Sequence, residues 1–210
     1  MVEHYFERVF MKFLKENSYD ILRLYINQIG ITIFSLVLYF SAAMIENAEI
    51  ALTLKVSISV FAILFYFSLL YTAAWDWGAK DKIRVDAGRL ECKKGKGALM
   101  SFIANIINFI LAGICIAAMW IYMTNGSKGA LSLNQIFNLI LRMTNAMYLG
   151  VLQCIFTSFA ENGDLYNLLQ SVGFFVSPLF AVLATHTGYI FGLKNKRIFN
   201  FLKTQSNNKK

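Results

Sequence analysis

Apolar residues in this chain fall in long blocks rather than at the short periods of amphipathic strands and helices. The run at 56–74, VSISVFAILFYFSLLYTAA, is apolar or small nearly all the way round. A helix without a polar face is buried or crosses a membrane. Runs of about 20 residues match a hydrocarbon layer of ~30 Å at a rise of ~1.5 Å per residue. The blocks predict four full spans, at about 29–45, 56–75, 99–123 and 168–193. Aromatic residues mark their ends, because an apolar ring with a polar tip favours the membrane boundary. Trp75 and Trp77 set the depth of the second span, and Trp120 and Tyr122 that of the third.

Three stretches break this pattern. At 4–25 the apolar residues Phe6, Val9, Phe10, Phe13 and Leu14 share one helical face, with Glu7, Lys12, Lys15 and Glu16 on others. The spacing predicts an amphipathic helix over 1–25, lying in the headgroup plane or packed beneath the bundle. The stretch at 75–97 is the only long polar interval in the interior. The segment 136–159 has the length of a span, but Asn138, Arg142, Asn145 and Gln153 interrupt it. An arginine near the centre of an isolated span costs roughly 2.5–3.5 kcal/mol.

Charge converts these blocks into a topology. Lys and Arg mark the cytoplasmic side. They cluster at Arg8, Lys12, Lys15 and Arg23, in the interval 80–96, and again after Gly192, whereas the turn before the second span has only Lys55 and 124–135 only Lys128. All three basic regions are therefore expected on the cytoplasmic side. With the first three spans crossing, the tail returns there only if 136–159 does not cross. The expected fold is an all-α polytopic integral membrane bundle of four full spans plus a non-crossing or re-entrant helix. Its parts are an interfacial amphipathic helix at 1–25, a membrane domain at 26–193 and a basic cytosolic tail at 194–210. The first apolar run starts near Gly30, after a segment with four acids, which is unlike a signal peptide.

A 57% hydrophobic composition, a net charge of +8 and a mean hydropathy of +0.53 agree with that class. The bases sit beside apolar spans, so anionic headgroups rather than nucleic acid are their expected partners. Cys92, Cys115 and Cys154 have neither disulfide-framework nor zinc-ligand spacing. Lys94, Gly95, Lys96 and Gly97 lack the frame of a phosphate-binding loop. No catalytic constellation, metal set or cofactor motif assembles from the residue types present.

The candidate sites are places where polarity interrupts a span. Arg142, Asn138 and Asn145 share one helical face, either lining a site for an anionic or carboxylate-bearing ligand or facing headgroups and water. Pro178 leaves the carbonyl of Phe174 without its helical donor and is expected to kink the last span, with Ser177 or a neighbouring helix able to satisfy that carbonyl. His186, between Thr185 and Thr187, is placed to move a proton or to reach water. Asn105 and Asn108, one turn apart, are expected to bond across helices, and Gly113 with Ala117 to form a small-residue contact. Lys80, Lys82, Arg84, Arg89, Lys93, Lys94 and Lys96 form the expected cytosolic contact surface.

Tyr71, Trp75, Gly78, Lys80, Asp81, Val85, Gly88, Arg89 and the basic run at 94–97, followed by Ile103 and Asn105, resemble a loop in small integral membrane proteins of low-GC Gram-positive bacteria. The resemblance implies a bacterial cytoplasmic membrane and carries no activity. The expected function is a non-enzymatic accessory subunit that binds a membrane or cytosolic protein partner. The alternative is a small-solute transporter or membrane substrate-binding component using Arg142, Pro178 and His186.

Overall fold

The computed structural model describes residues 2–89, 91–159 and 161–196. They form seven α-helices, α1 (Val2–Ala43), α2 (Ala48–Asp86), α3 (Lys96–Ala104), α4 (Ile106–Asn125), α5 (Lys128–Thr144), α6 (Leu149–Phe156) and α7 (Gly163–Leu193), with single 3-10 turns flanking α6. Four helical stretches, Glu7–Ala43, Ala48–Asp86, Ile106–Asn125 and Gly163–Leu193, are long and apolar enough to cross a membrane. A fifth is reached only if α5 and the segment Ala146–Phe159, which are bent by 85° to one another, are joined into one broken span.

Contacts between helices fix their directions. Gly188 of α7 abuts Tyr71 of α2, and Gly192 abuts Trp75 and Ala79, so α2 and α7 run parallel. Along α3 and α4, Gly97 meets Tyr189 and Phe109 meets Phe175, ring centroids 5.4 Å apart. These helices therefore run against α7. In α1, Asp20 interacts electrostatically with Lys96, Lys80 and Asp81, while Tyr39 donates to Gln153 at 2.9 Å. The start of α1, the end of α2, the start of α3 and the end of α7 consequently share one end of the bundle. The basic residues at 8–23, at 80–96 and at 194–196 lie at that end. The segment α5–α6 leaves the opposite end, enters the bundle and returns to the end it left.

Several boundaries differ from the sequence expectation. The chain does not break between 25 and 29: α1 is a single helix of 42 residues, about 63 Å long. The 1–25 segment is thus the first half of α1. Its Leu14 sits with Ile103, Ala104 and Ile107 around a shallow groove. Half of the polar interval at 75–97 is likewise helical, because α2 continues to Asp86. Gly88, at φ 69°, supplies the left-handed turn that follows. Trp77 is buried in the core rather than set at a boundary, whereas Trp75 donates Nε1–H to the Lys196 carbonyl at 2.7 Å. The third span is divided at Asn105, whose Nδ2 donates back to the Ser101 carbonyl at 2.9 Å. An amide that competes for backbone acceptors in this way interrupts a helix. Of the expected tail at 194–210, residues 197–210 lie outside the described residues.

Small residues let α2 and α7 approach closely. A methyl group added to Gly192 would lie 2.2 Å from the Trp75 carbonyl oxygen, and one added to Gly188 2.5 Å from that of Tyr71. The Gly188-Tyr-Ile-Phe-Gly192 sequence is a small-xxx-small contact of the kind that packs membrane helices. Gly113 has nothing within 4 Å of an added methyl, so the contact expected at Gly113 and Ala117 is not made there.

Candidate functional site

α5 begins at Ser127, whose side chain caps the Ala130 N–H. The preceding helix stops at Gly126, which takes a left-handed φ of 64°. The residues that follow are arranged against the usual rule for soluble proteins. Leu133, Ile136 and Leu139 point outward, Leu139 with 60% of its surface exposed, while Asn134, Asn138 and Asn145 are buried, Asn145 completely. A helix with amides inside and leucines outside suits apolar surroundings, where polar groups must find partners within the protein. The same periodicity is expected of a helix with its polar face to headgroups. The structure turns that face to the bundle instead.

Each buried amide has a defined partner. Asn134 Nδ2 donates to the Cys115 carbonyl of α4 at 2.9 Å. Asn138 Nδ2 donates to Ser171 Oγ of α7 at 3.3 Å. Asn145 Nδ2 reaches Asn108 Oδ1 at 3.1 Å and the Leu141 carbonyl at 3.2 Å, and Asn108 Nδ2 reaches Asn105 Oδ1 at 3.2 Å. The cross-helix bonding expected of Asn105 and Asn108 is therefore present, through Asn145. That residue also ends α5, where its backbone N–H and its side chain both donate to the Leu141 carbonyl. Thr32 Oγ1 donates to the Thr144 carbonyl at 3.0 Å and ties α1 to the same bend. Asn145 Oδ1 and Tyr148 Oη are buried without partners.

Arg142 leaves this core and points toward α7. Its Nη2 donates to Gln170 Oε1, and lies 3.5 Å from Asn167 Oδ1. Among the described residues no carboxylate forms an ion pair with it. Its Nε is buried and unpartnered. Beside it lies a cavity of about 380 Å³ lined by Asn134, Gln135, Asn138, Leu139, Arg142 and Asn167. Asn167 is about one turn from the start of α7, so the cavity lies in the half of the bundle away from the basic end. Arg142 and Asn138 thus share a site, and Asn145 sits behind it in the core.

His186 does not join them. It lies sixteen residues beyond Gln170 on α7, about 24 Å along the helix, and its Nδ1 is buried without a partner. Pro178 lies within α7, which is continuous from Gly163 to Leu193. Ser177 Oγ donates to the Gly173 carbonyl at 2.7 Å, so of the two ways open to satisfy the Phe174 carbonyl, Ser177 does not supply the first.

The basic end carries a second polar cluster. Asp81 is buried and accepts from Lys96 Nζ at 2.8 Å and from Tyr189 Oη at 2.9 Å. This arrangement joins α2, α3 and α7. Lys96 is consequently turned inward, and Lys82 pairs with Asp86 at 3.0 Å. Lys80, Arg84, Arg89, Lys93 and Lys94 remain exposed, although Arg84 also lies 3.7 Å from Asp81. Nothing in the local spacing of Asp81 marks it as the buried acid. The glycine pair at 188 and 192 was legible as a motif.

Among the described residues no group of three His, Cys, Asp or Glu side chains is placed to hold a metal ion. Cys92, Cys115 and Cys154 are free thiols, of which only Cys115 is buried. Fold and site together describe an all-helical chain with four helices of membrane-spanning length and a broken, polar-faced segment inserted among them. No family model, no curated protein and no solved structure matches this chain.

Proposed function

We propose that this chain is a multi-pass protein of a bacterial cytoplasmic membrane, with both termini cytoplasmic, that binds a small polar solute on its α5–α6 segment. Kinship with the small membrane proteins of low-GC Gram-positive bacteria is part of this reading. So is a re-entrant course for α5–α6, entering from the outer side. The observation that carries it is the cavity beside Arg142, where amides face inward from a helix whose outer face is apolar. Broken helices with polar groups at membrane depth are a recurring way to build solute sites. The transporter or substrate-binding role therefore moves ahead of the accessory role.

The test is thermal melting of the purified full-length protein in mild detergent against a panel of small polar solutes. A bound solute stabilises in proportion to its occupancy. Leu139→Trp, at an exposed position on the cavity wall, fills the cavity without disturbing the core. At least one solute should raise the wild-type melting temperature and leave the Leu139→Trp protein unmoved. A panel without any stabilising member, or equal shifts in both proteins, would remove the reading.

The accessory role stands second, favoured by the exposed Arg84, Arg89, Lys93 and Lys94 around the α2–α3 connection. A stable partner recovered in mild detergent, and lost when these four are changed to Gln, would restore it to first place.

A further inference from the structure

We infer that the cavity between α5 and α7 takes a single oxyanion group, a carboxylate or a phosphate, set against Arg142. The inference rests on the reading of this cavity as a binding site and names the chemistry it selects. Three observations carry it. First, the Arg142 charge is not neutralised from within. Its Nη2 is held by the neutral side-chain oxygens of Gln170 and Asn167, and among the described residues no carboxylate pairs with it. A cation held among apolar helices without a counter-ion is costly, and an incoming anion removes that cost. Asp81, buried at the basic end, does have its cation, Lys96. The deficit is therefore local to Arg142.

Second, the lining lacks acids altogether. Asn134, Gln135, Asn138, Leu139, Arg142 and Asn167 surround the space. Asn134 and Asn138 each commit one amide N–H, to the Cys115 carbonyl and to Ser171 Oγ, and keep the other. Asn167 accepts from Arg142 through Oδ1, which leaves its Nδ2 as a donor. The exposed Gln135 adds another. A guanidinium plus amide donors is a set made for an oxyanion, since hydrogen bonds from a charged donor to an anionic oxygen are the strong ones.

Third, the guanidinium is pre-positioned. Gln170, itself buried, fixes one amino group, and among the described residues no hydrogen bond engages the other, Nη1. Immobilising the guanidinium before binding reduces the ordering cost of the complex.

A free solute and a lipid headgroup both offer this chemistry, and the test separates them. Wild-type protein in lipid-free neutral detergent is melted with sodium phosphate, sodium acetate or uncharged acetamide at constant ionic strength, and separately with added phosphatidylglycerol. Phosphate or acetate at saturation is expected to raise Tm by at least about 5 °C, with acetamide inert; a shift with the phospholipid alone assigns the oxyanion to a headgroup. Gln135→Glu, an exposed position that leaves the fold intact, places a carboxylate beside Arg142. It is expected to weaken anion binding at least tenfold, and Gln135→Lys to strengthen it. Arg142→Lys should weaken it by a similar factor, since an ammonium cannot be held by Gln170 and present a second nitrogen to the anion as the guanidinium does. Stabilisation by acetamide but by neither anion nor phospholipid keeps the binding site and overturns the oxyanion. No stabilisation by any probe overturns both. Equal anion binding in Gln135→Glu and wild type overturns the inference even if the anion stabilises.

Discussion

Two polar clusters, one in each half of the bundle, treat buried polarity in opposite ways. At the basic end the charge of Asp81 is matched by Lys96, its remaining capacity is taken up by Tyr189, and the helices around it touch backbone to backbone at Gly78, Gly188 and Gly192. In the other half Arg142 has only neutral partners and a cavity opens beside it, while Asn145 Oδ1 and Tyr148 Oη, away from that cavity, have no partner. A closed, satisfied cluster is what a structural joint needs. An open one with a surplus of donors is what a binding site needs, because the missing partner is supplied by the ligand. The difference between a joint and a site is therefore read from what each group lacks, not from how polar it is.

This contrast can be broken by substitution. The largest effect is expected at the glycine contacts. Gly192→Ala would place a methyl group 2.2 Å from a carbonyl oxygen that cannot move independently of its helix, so the unfolding free energy should fall by about 3 kcal/mol, at the upper end for overpacking. Denaturant titration in detergent measures it. Asp81→Ala should cost as much, about 3 kcal/mol, because the donors Lys96 and Tyr189 are left without their acceptor. Tyr189→Phe serves as the milder control. If Asp81→Ala were silent, the joint would not be one.

Smaller effects are expected in the other half. Asn145→Ala removes the link to Asn108 and should cost about 1 kcal/mol, within the range of amide bonds between membrane helices. Arg142→Gln, measured without added anion, should change stability by less than about 1 kcal/mol or raise it, since a surplus charge is lost along with its neutral hydrogen bonds. A loss comparable to that of Asp81→Ala would mean that Arg142 is a structural residue. Gly113→Ala should be the mildest, a gain of about 0.5 kcal/mol from helix propensity alone.

The sequence carried the helical class and the distribution of the bases, because both depend on local composition. Runs such as 56–74 have no polar face to place, and so only one reading. Where the chain divides was less legible. Asn105 and Asn145 end helices through bonds of their own side chains to backbone four residues back, and mid-helix asparagines are common enough that their presence alone does not announce a break. The inward face of α5 was not legible either. Periodicity gives two faces, but which one turns inward depends on the surroundings, and the pattern of Asn134, Asn138 and Arg142 is the same in either case. The pairing of Asp81 with Lys96 joins residues 15 apart across a turn, and no local rule selects that acid from the four in the interval. Continuity of α1 through residues 25–29 follows from the absence of any breaking residue except Gly30, which an α-helix tolerates at a cost of about 1 kcal/mol.

The central claim is that α5–α6 enters the bundle and returns to the end it left. Single cysteines at Lys94, Lys128, Glu161 and Lys194, in a background with Cys92, Cys115 and Cys154 replaced, test it directly by labelling intact cells with a membrane-impermeant thiol reagent. The account predicts that positions 128 and 161 label together from outside and that 94 and 194 label only after the membrane is opened. Labelling of 128 and 161 from opposite sides would make the broken segment a fifth crossing and would contradict it.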